Sequence, residues 1–440
     1  MWLAAQSSGG LTKAGERLGV ELLDIIRANA LLGYNVPGIS APGYGNLTLR
    51  GISEHTQLAQ RMAYRMAPLF LDTVGATGIK RQVIVSNSGV NRAVDSAYFF
   101  TKSLANTVPG LASLIVNSAP LTAYPASAPI AQAAGTNRFE LYFHKLNAKM
   151  DLPTSSDPYF PIYQSSLAYQ SYLNGDSTMI AKVNSIVYSD ASKKMARKVL
   201  KTIFTAAFLD ALDAGTTSYS NAGTFNFTST DGLFPVKITG DGQTILANLV
   251  DAANSLYAVY SILPAMNQEV NVNMARYFPA GQLVILGYLS DAQDFYQKGP
   301  GIAEASPITF QMSQYLLDDF FAEASAIGAG TLTHAAKLRF THAEIIMPFA
   351  TRLGLPDASM AISAADTYTY DNNPWRGSLI APLASNVQWD LYSDGKTVLV
   401  KMLYNEKETD FPSNCEAARY MAGTVSHFYT LTGLKSCYGY

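Results

Sequence analysis

His342 and Glu344 stand one residue apart in RFTHAEIIMPFATRLGL, residues 339–355. An imidazole can donate a hydrogen bond to an anion, and a carboxylic acid beside it can hand a proton to a leaving alkoxide. A second candidate lies far upstream. In SNSGVNRAVDSA, Arg92 sits just inside what reads as a helix, near the unpaired N–H groups of its first turn. Helix starts attract anions, and a guanidinium there adds a bidentate clamp for phosphate. Plainer roles compete: Arg92 as a surface arginine paired with Asp95, His342 as a hydrogen-bonded structural histidine. The chain has five histidines and two cysteines, and no His or Cys pattern supports a metal site at His342 and Glu344.

Chemistry of this kind needs rigid elements to hold it. The run Val83–Val85 in RQVIVSNSG reads as a strand ended by small polar residues, and VNRAVDSAYFFTKSL continues as a helix. Lys337–Thr341 reads as another strand, giving way to a helix near Ile345. Both candidates therefore fall at carboxyl ends of strands, where open α/β sheets bind ligands, and a shared pocket is expected. Upstream, two helices begin with similar stretches, LTKAG with Thr12 as cap and LTLRG with Thr48 as cap. Residues 139–326 read as almost wholly helical, with one turn-rich interruption. Two extended runs joined by Ser393-Asp394-Gly395-Lys396 read as a hairpin. The expected fold is α/β, a mixed sheet flanked by helices and carrying an inserted all-α domain. Its parts are 1–138 and 327–440 for the α/β domain and 139–326 for the insert.

Composition narrows the functional classes. With 48% hydrophobic and 15% charged residues, the chain can bury a large core. A formal net charge of -2 gives no basic field for nucleic acid. No apolar run reaches the roughly 20 residues of a membrane span, and no signal peptide is read in MWLAAQSSGG. The uncharged stretch Ser103–Asn137 is broken by Pro109, Pro120, Pro125 and Pro129 and reads as an irregular loop. Cys415 and Cys437 are either two separate thiols or one disulfide, which would imply an oxidising compartment. Phosphate-loop, HExxH, GxSxG and dinucleotide signatures are absent. His55 reads as lying on the polar side of a helix, and His144, His334 and His427 suggest no role.

Taken in order, these motifs resemble the two-domain histidine phosphatases of the phytase and acid phosphatase branch. VIVSNSGVNRAVDSAYFF resembles their second signature, with Ser88 before the pocket Arg92 and Ser96-Ala97 after it. LTLRGISEHTQLAQRMAYR resembles the helix that comes before it. His-Ala-Glu, where most of the branch has His-Asp, is typical of the multiple inositol polyphosphate phosphatases. The resemblance implies metal-free, cofactor-free hydrolysis of a phosphomonoester such as an inositol phosphate, through a phosphohistidine. Arg92 would clamp phosphate, His342 would donate to a phosphoryl oxygen and Glu344 would be the general acid, with a raised pKa. The family's nucleophile motif, Arg-His-Gly-x-Arg-x-Pro, does not occur in this sequence, and no histidine is followed by glycine. Two of the three arginines expected in the pocket would be lost with it. The expectation is a truncated parent enzyme, periplasmic or secreted, whose present chain is inactive. The alternatives are a catalytically silent phosphate-ligand binder and a general acid phosphatase acting on sugar phosphates.

Overall fold

The computed structural model describes the 440-residue chain except for residues 79, 120–131, 306, 332–333 and 422. Its strands are β1 (Gln82–Asn87), β2 (Ile115–Asn117), β3 (Tyr219–Ser220), β4 (Thr224–Thr228), β5 (Pro235–Thr239), β6 (Ile245–Leu246), β7 (His334–Phe340), β8 (Val387–Ser393), β9 (Val398–Tyr404), β10 (Lys407–Thr409) and β11 (Phe428–Thr430). Two compact units form, one from Met1–Glu54 with Ala181–Gln293, the other from His55–Ile180 with Asp294–Tyr440. These bounds differ from those read from the sequence, since residues 139–180 and 294–326 of the helical stretch pack with the second unit.

In the first unit, the helix Lys13–Ala30 starts at Thr12, whose hydroxyl accepts from Gly15 N–H at 3.1 Å. Thr48 caps the helix Leu49–Arg65 in the same way, accepting from Gly51 N–H at 3.0 Å. The glycine of the first motif has a packing reason as well: a Cβ on Gly15 would sit 2.1 Å from the Ile203 carbonyl oxygen. The turn-rich stretch does not stay irregular. It forms two small antiparallel sheets, β3–β6 and β4–β5, so this region is not all-α.

The second unit carries the main sheets. β1 lies between β2 and β7, all parallel, with Asn87 facing Phe340 at the last pair. Val83 and Val85 are buried against Ala93, Ala97, Phe100 and Leu104 of the helix Asn91–Thr107 and against Phe340. Burial on that scale, at about 25 cal/mol per Å² of apolar surface, fixes strand and helix as one block. His55 is not on a solvated face; it is half-buried, its ring 6.3 Å from that of Phe340. The expected loop Ser103–Asn137 also departs from the reading. The helix runs on to Thr107 and β2 follows, while Pro120, Pro125 and Pro129 lie outside the described residues.

The C-terminal strands form a separate antiparallel sheet, β8 and β11 each pairing with β9, and β10 on the same strand. The hairpin turn is set by Asp394, whose carboxylate accepts from Lys396 N–H at 2.9 Å and Thr397 N–H at 2.7 Å, with Gly395 at φ 85°. Cys415 and Cys437 are joined as a disulfide, Cα to Cα 5.3 Å, tying the helix Leu431–Tyr438 to the turn Ser413–Ala418. Among the described residues, no helix is long and apolar enough to cross a membrane.

Candidate active site

The site is built where β1 and β7 end side by side. Beyond Asn87 the chain turns sharply. Ser88 N–H donates to the Phe340 carbonyl at 3.1 Å, which locks the two strand ends together. Gly89 follows at φ 77°, and a Cβ there would meet Thr136 Cγ2 at 2.9 Å, so glycine is required twice over. Val90 N–H donates to Ser88 Oγ at 3.3 Å, and the helix Asn91–Thr107 begins. On the neighbouring strand, His342 is the N-cap residue of the helix Ala343–Arg352, with Glu344 in its first turn. Two helix starts thus open at the ends of adjacent parallel strands, an arrangement that favours a bound anion.

Ser88 Oγ and His342 Nε2 share a buried hydrogen bond of 2.8 Å, joining residues 254 apart in sequence. Burial holds the His342 imidazole down to about 4, helped by Arg92 and then Lys145, while Glu344 opposes them. The ring is therefore neutral from mildly acid pH upward, able to donate through one nitrogen and accept through the other. Arg92 is exposed, and among the described residues it makes no ion pair, so the pairing with Asp95 considered from the sequence does not form.

Glu344 departs from expectation. Burial pushes its carboxyl up, but a backbone N–H, Lys298, His144 and His342 together pull it below the ordinary value. The expected raised pKa does not hold: the Lys298 cation and a backbone donor favour the ionised carboxylate. Lys298 closes this cluster, its Nζ 2.8 Å from Asp294 Oδ1.

His144, which suggested nothing in the sequence, belongs to the same place. Its ring lies 6.4 Å from that of His342, and Tyr142 stands edge-on to both, at 4.7 Å and 5.5 Å respectively. No local spacing signals this. The segment is carried there by distant tethers: Asn87 N–H donates to Gly135 O at 2.7 Å, Asn137 N–H to Asn87 O at 2.9 Å, and Thr341 Oγ1 to Leu141 O at 2.7 Å. A buried ion pair, Arg138 with Asp151 at 2.5 Å, stiffens it from behind. The remaining histidines lie elsewhere, His334 against Glu323 and His427 against Asp410. Among the described residues, no group of three His, Cys, Asp or Glu could hold a metal ion.

Solved structures share this architecture. The multiple inositol polyphosphate phosphatase of Bifidobacterium longum, in complex with inositol hexasulfate, matches at 30% identity and TM-score 0.82, over 99% of this chain and 86% of that one. The chain belongs to the multiple inositol polyphosphate phosphatase family. The phosphate complex of the same Bifidobacterium enzyme matches at 29% identity and TM-score 0.81, over 100% of this chain and 87% of that one. The phytase from D. castellii, at 12% identity and TM-score 0.53 over 97% of this chain and 75% of its own, shows the fold alone. No protein-family model matches the chain, and no curated protein sequence does either. For a member of the multiple inositol polyphosphate phosphatase family, the structure brings together the Ser88, Arg92, His342 and Glu344 of the sequence motifs and adds His144 to them.

Proposed function

We propose that this site takes the phosphoryl groups of inositol polyphosphates and is the phosphate-binding and proton-donating part of a phosphomonoesterase of the histidine acid phosphatase type. The observation that carries the reading is the Ser88–His342 bond at the ends of β1 and β7, with Arg92 acting electrostatically on the same imidazole. Arg92 pairs with the phosphoryl oxygens, His342 hydrogen-bonds one of them, and Glu344 protonates the departing inositol alkoxide. A poor leaving group makes that proton necessary. Since its own surroundings hold the Glu344 carboxyl below the ordinary value, the incoming phosphoryl group has to raise its pKa and load the proton. Proton uptake on binding follows, and calorimetry near pH 5 in buffers of different ionisation enthalpy reads it. Binding without uptake removes Glu344 from the acid role.

Attack on phosphorus needs a nucleophile, and the family's Arg-His-Gly is not among these residues. The chain as it stands is therefore expected to bind the ester and not to turn it over. The test is titration with inositol hexasulfate and with inorganic phosphate, beside a phosphate-release assay on inositol hexakisphosphate. Arg92→Ala should weaken binding about 30-fold, the worth of a charge-assisted hydrogen bond pair. Failure of both probes to bind sinks the reading, and turnover abolished by His342→Ala overturns the binding-only state. The second reading, a phosphate-ligand binder with no catalytic parent, is favoured by the same missing motif; both readings expect no turnover by this chain, and the proton-uptake measurement separates them, since a binder has no need of a protonated Glu344.

A further inference from the structure

The proposed roles leave one polar group at the site unused. His144 is 5% exposed, and among the described residues its buried Nδ1 has no hydrogen-bond partner. Buried polar atoms are paired in the great majority of cases, so an orphan calls for a reason. The ring is not adrift in an apolar core. It sits on the turn Phe143–Lys145, edge-on to Tyr142 and facing His342. Three hydrogen bonds, from Asn87, Asn137 and Thr341, fasten its segment to the very strand ends that carry Ser88 and His342. A side chain placed by that many long-range contacts, with an unfilled nitrogen, is built to receive something.

We propose that His144 is a ligand-binding residue of this site, whose neutral imidazole gives its free Nδ1–H to an oxygen of the anion held by Arg92 and His342. The inference rests on the reading of the site as a phosphoryl pocket. The groups facing the ring are Glu344 from the following helix, His342 at its cap, Lys145 on the same turn and Lys298. Burial, with the lysines and His342, keeps the ring uncharged down to about pH 3, Glu344 alone opposing. A neutral ring donates from one nitrogen only, so Nδ1 and Nε2 differ in role and can be told apart.

That distinction gives the experiment. In His144→Asn the amide nitrogen stands near the place of Nδ1; in His144→Gln it reaches toward that of Nε2. Affinity for inositol hexasulfate and for inorganic phosphate is measured by calorimetry on the whole chain, with thermal midpoints recorded for each variant. His144→Gln should bind about tenfold more weakly, while His144→Asn stays within about threefold of the parent. In ¹⁵N-resolved imidazole spectra of the unsubstituted chain, the His144 Nδ1 resonance should move on addition of either probe. Equal binding by the parent and both folded variants, or an unmoved Nδ1 resonance at saturation, overturns the assignment of His144 alone. No binding by the parent chain overturns it together with the phosphoryl-pocket reading. A variant that does not fold passes the decision to the resonance, which needs no substitution.

Discussion

Lys337 and Arg339 lie on β7 only a few residues before His342, yet their surroundings are opposite in kind. Lys337 Nζ reaches Asp319 at 2.7 Å and Glu323 at 3.1 Å. Arg339 Nε meets Asp319 at 2.9 Å, with its guanidinium carbon 4.5 Å from the centre of the Phe320 ring. Each cation there is answered by an acid of the helix Gln314–Gly328. At the strand end the balance is reversed. Among the described residues Arg92 has no acid partner and His144 Nδ1 no hydrogen-bond partner, and His342 is neutral. Charge that is answered within the fold serves stability; charge left unanswered beside helix starts is what the proposed ligand would use. Even the acids show the contrast. Glu140, on the paired side, is pushed up to about 7 by burial and then by Asp319, whereas Glu344 is pulled down.

The sharpest way to break this comparison is Asp319→Ala. It leaves the partly buried Arg339 without its acid and Lys337 with Glu323 alone, and should cost about 3 kcal/mol in urea unfolding, with probe affinity unchanged within about twofold. Arg92→Ala is the mirror case: about 2 kcal/mol lost from binding, by its 30-fold effect, and under about 0.5 kcal/mol from stability. If both variants lose stability equally, the two regions do not differ in kind. A smaller effect, per unit of pH, comes from the neutral imidazoles. His342 is held down to about 4 and His144 to about 3, each chiefly by burial, against an ordinary value of 6.5. Between those values the unfolded chain binds more protons than the folded one, so stability falls as pH drops below about 6.5. The slope is at most about 1.4 kcal/mol per pH unit for each ring. Urea midpoints from pH 7 to pH 5 should show it, and replacing both rings with asparagine should reduce it, leaving the share of His55, which burial also holds down to about 4. An unchanged slope in that double variant places the acid sensitivity elsewhere.

Much of the scaffold was legible in short windows. The β-branched run at Val83–Val85, the helix after Gly89 and the hairpin at Asp394 follow from local propensity and turn chemistry, and each forms where read. The placing of Arg92 close enough to act electrostatically on His342 follows a rule about strand ends rather than spacing. His144 was not, because its position is decided by Asn87 and Thr341, which no window around it contains. The charge of Glu344 was misread for a related reason. Burial alone favours the neutral acid, but the result turns on Lys298 and His144, which arrive from other elements. The small sheets β3–β6 and β4–β5 were hidden in a turn-rich stretch whose strands are only two to five residues long.

The Ser88–His342 bond spans 254 residues, and that separation has a bearing on biosynthesis. Loop closure over such a distance comes late, after local helices and hairpins have formed. A nascent chain emerging from the ribosome carries Ser88 through the synthesis of 254 further residues before His342 exists to meet it. If the proposed anion binding holds, it is a certificate of completed assembly: a labelled inositol sulfate would count only those molecules in which Ser88 and His342 have closed on one another.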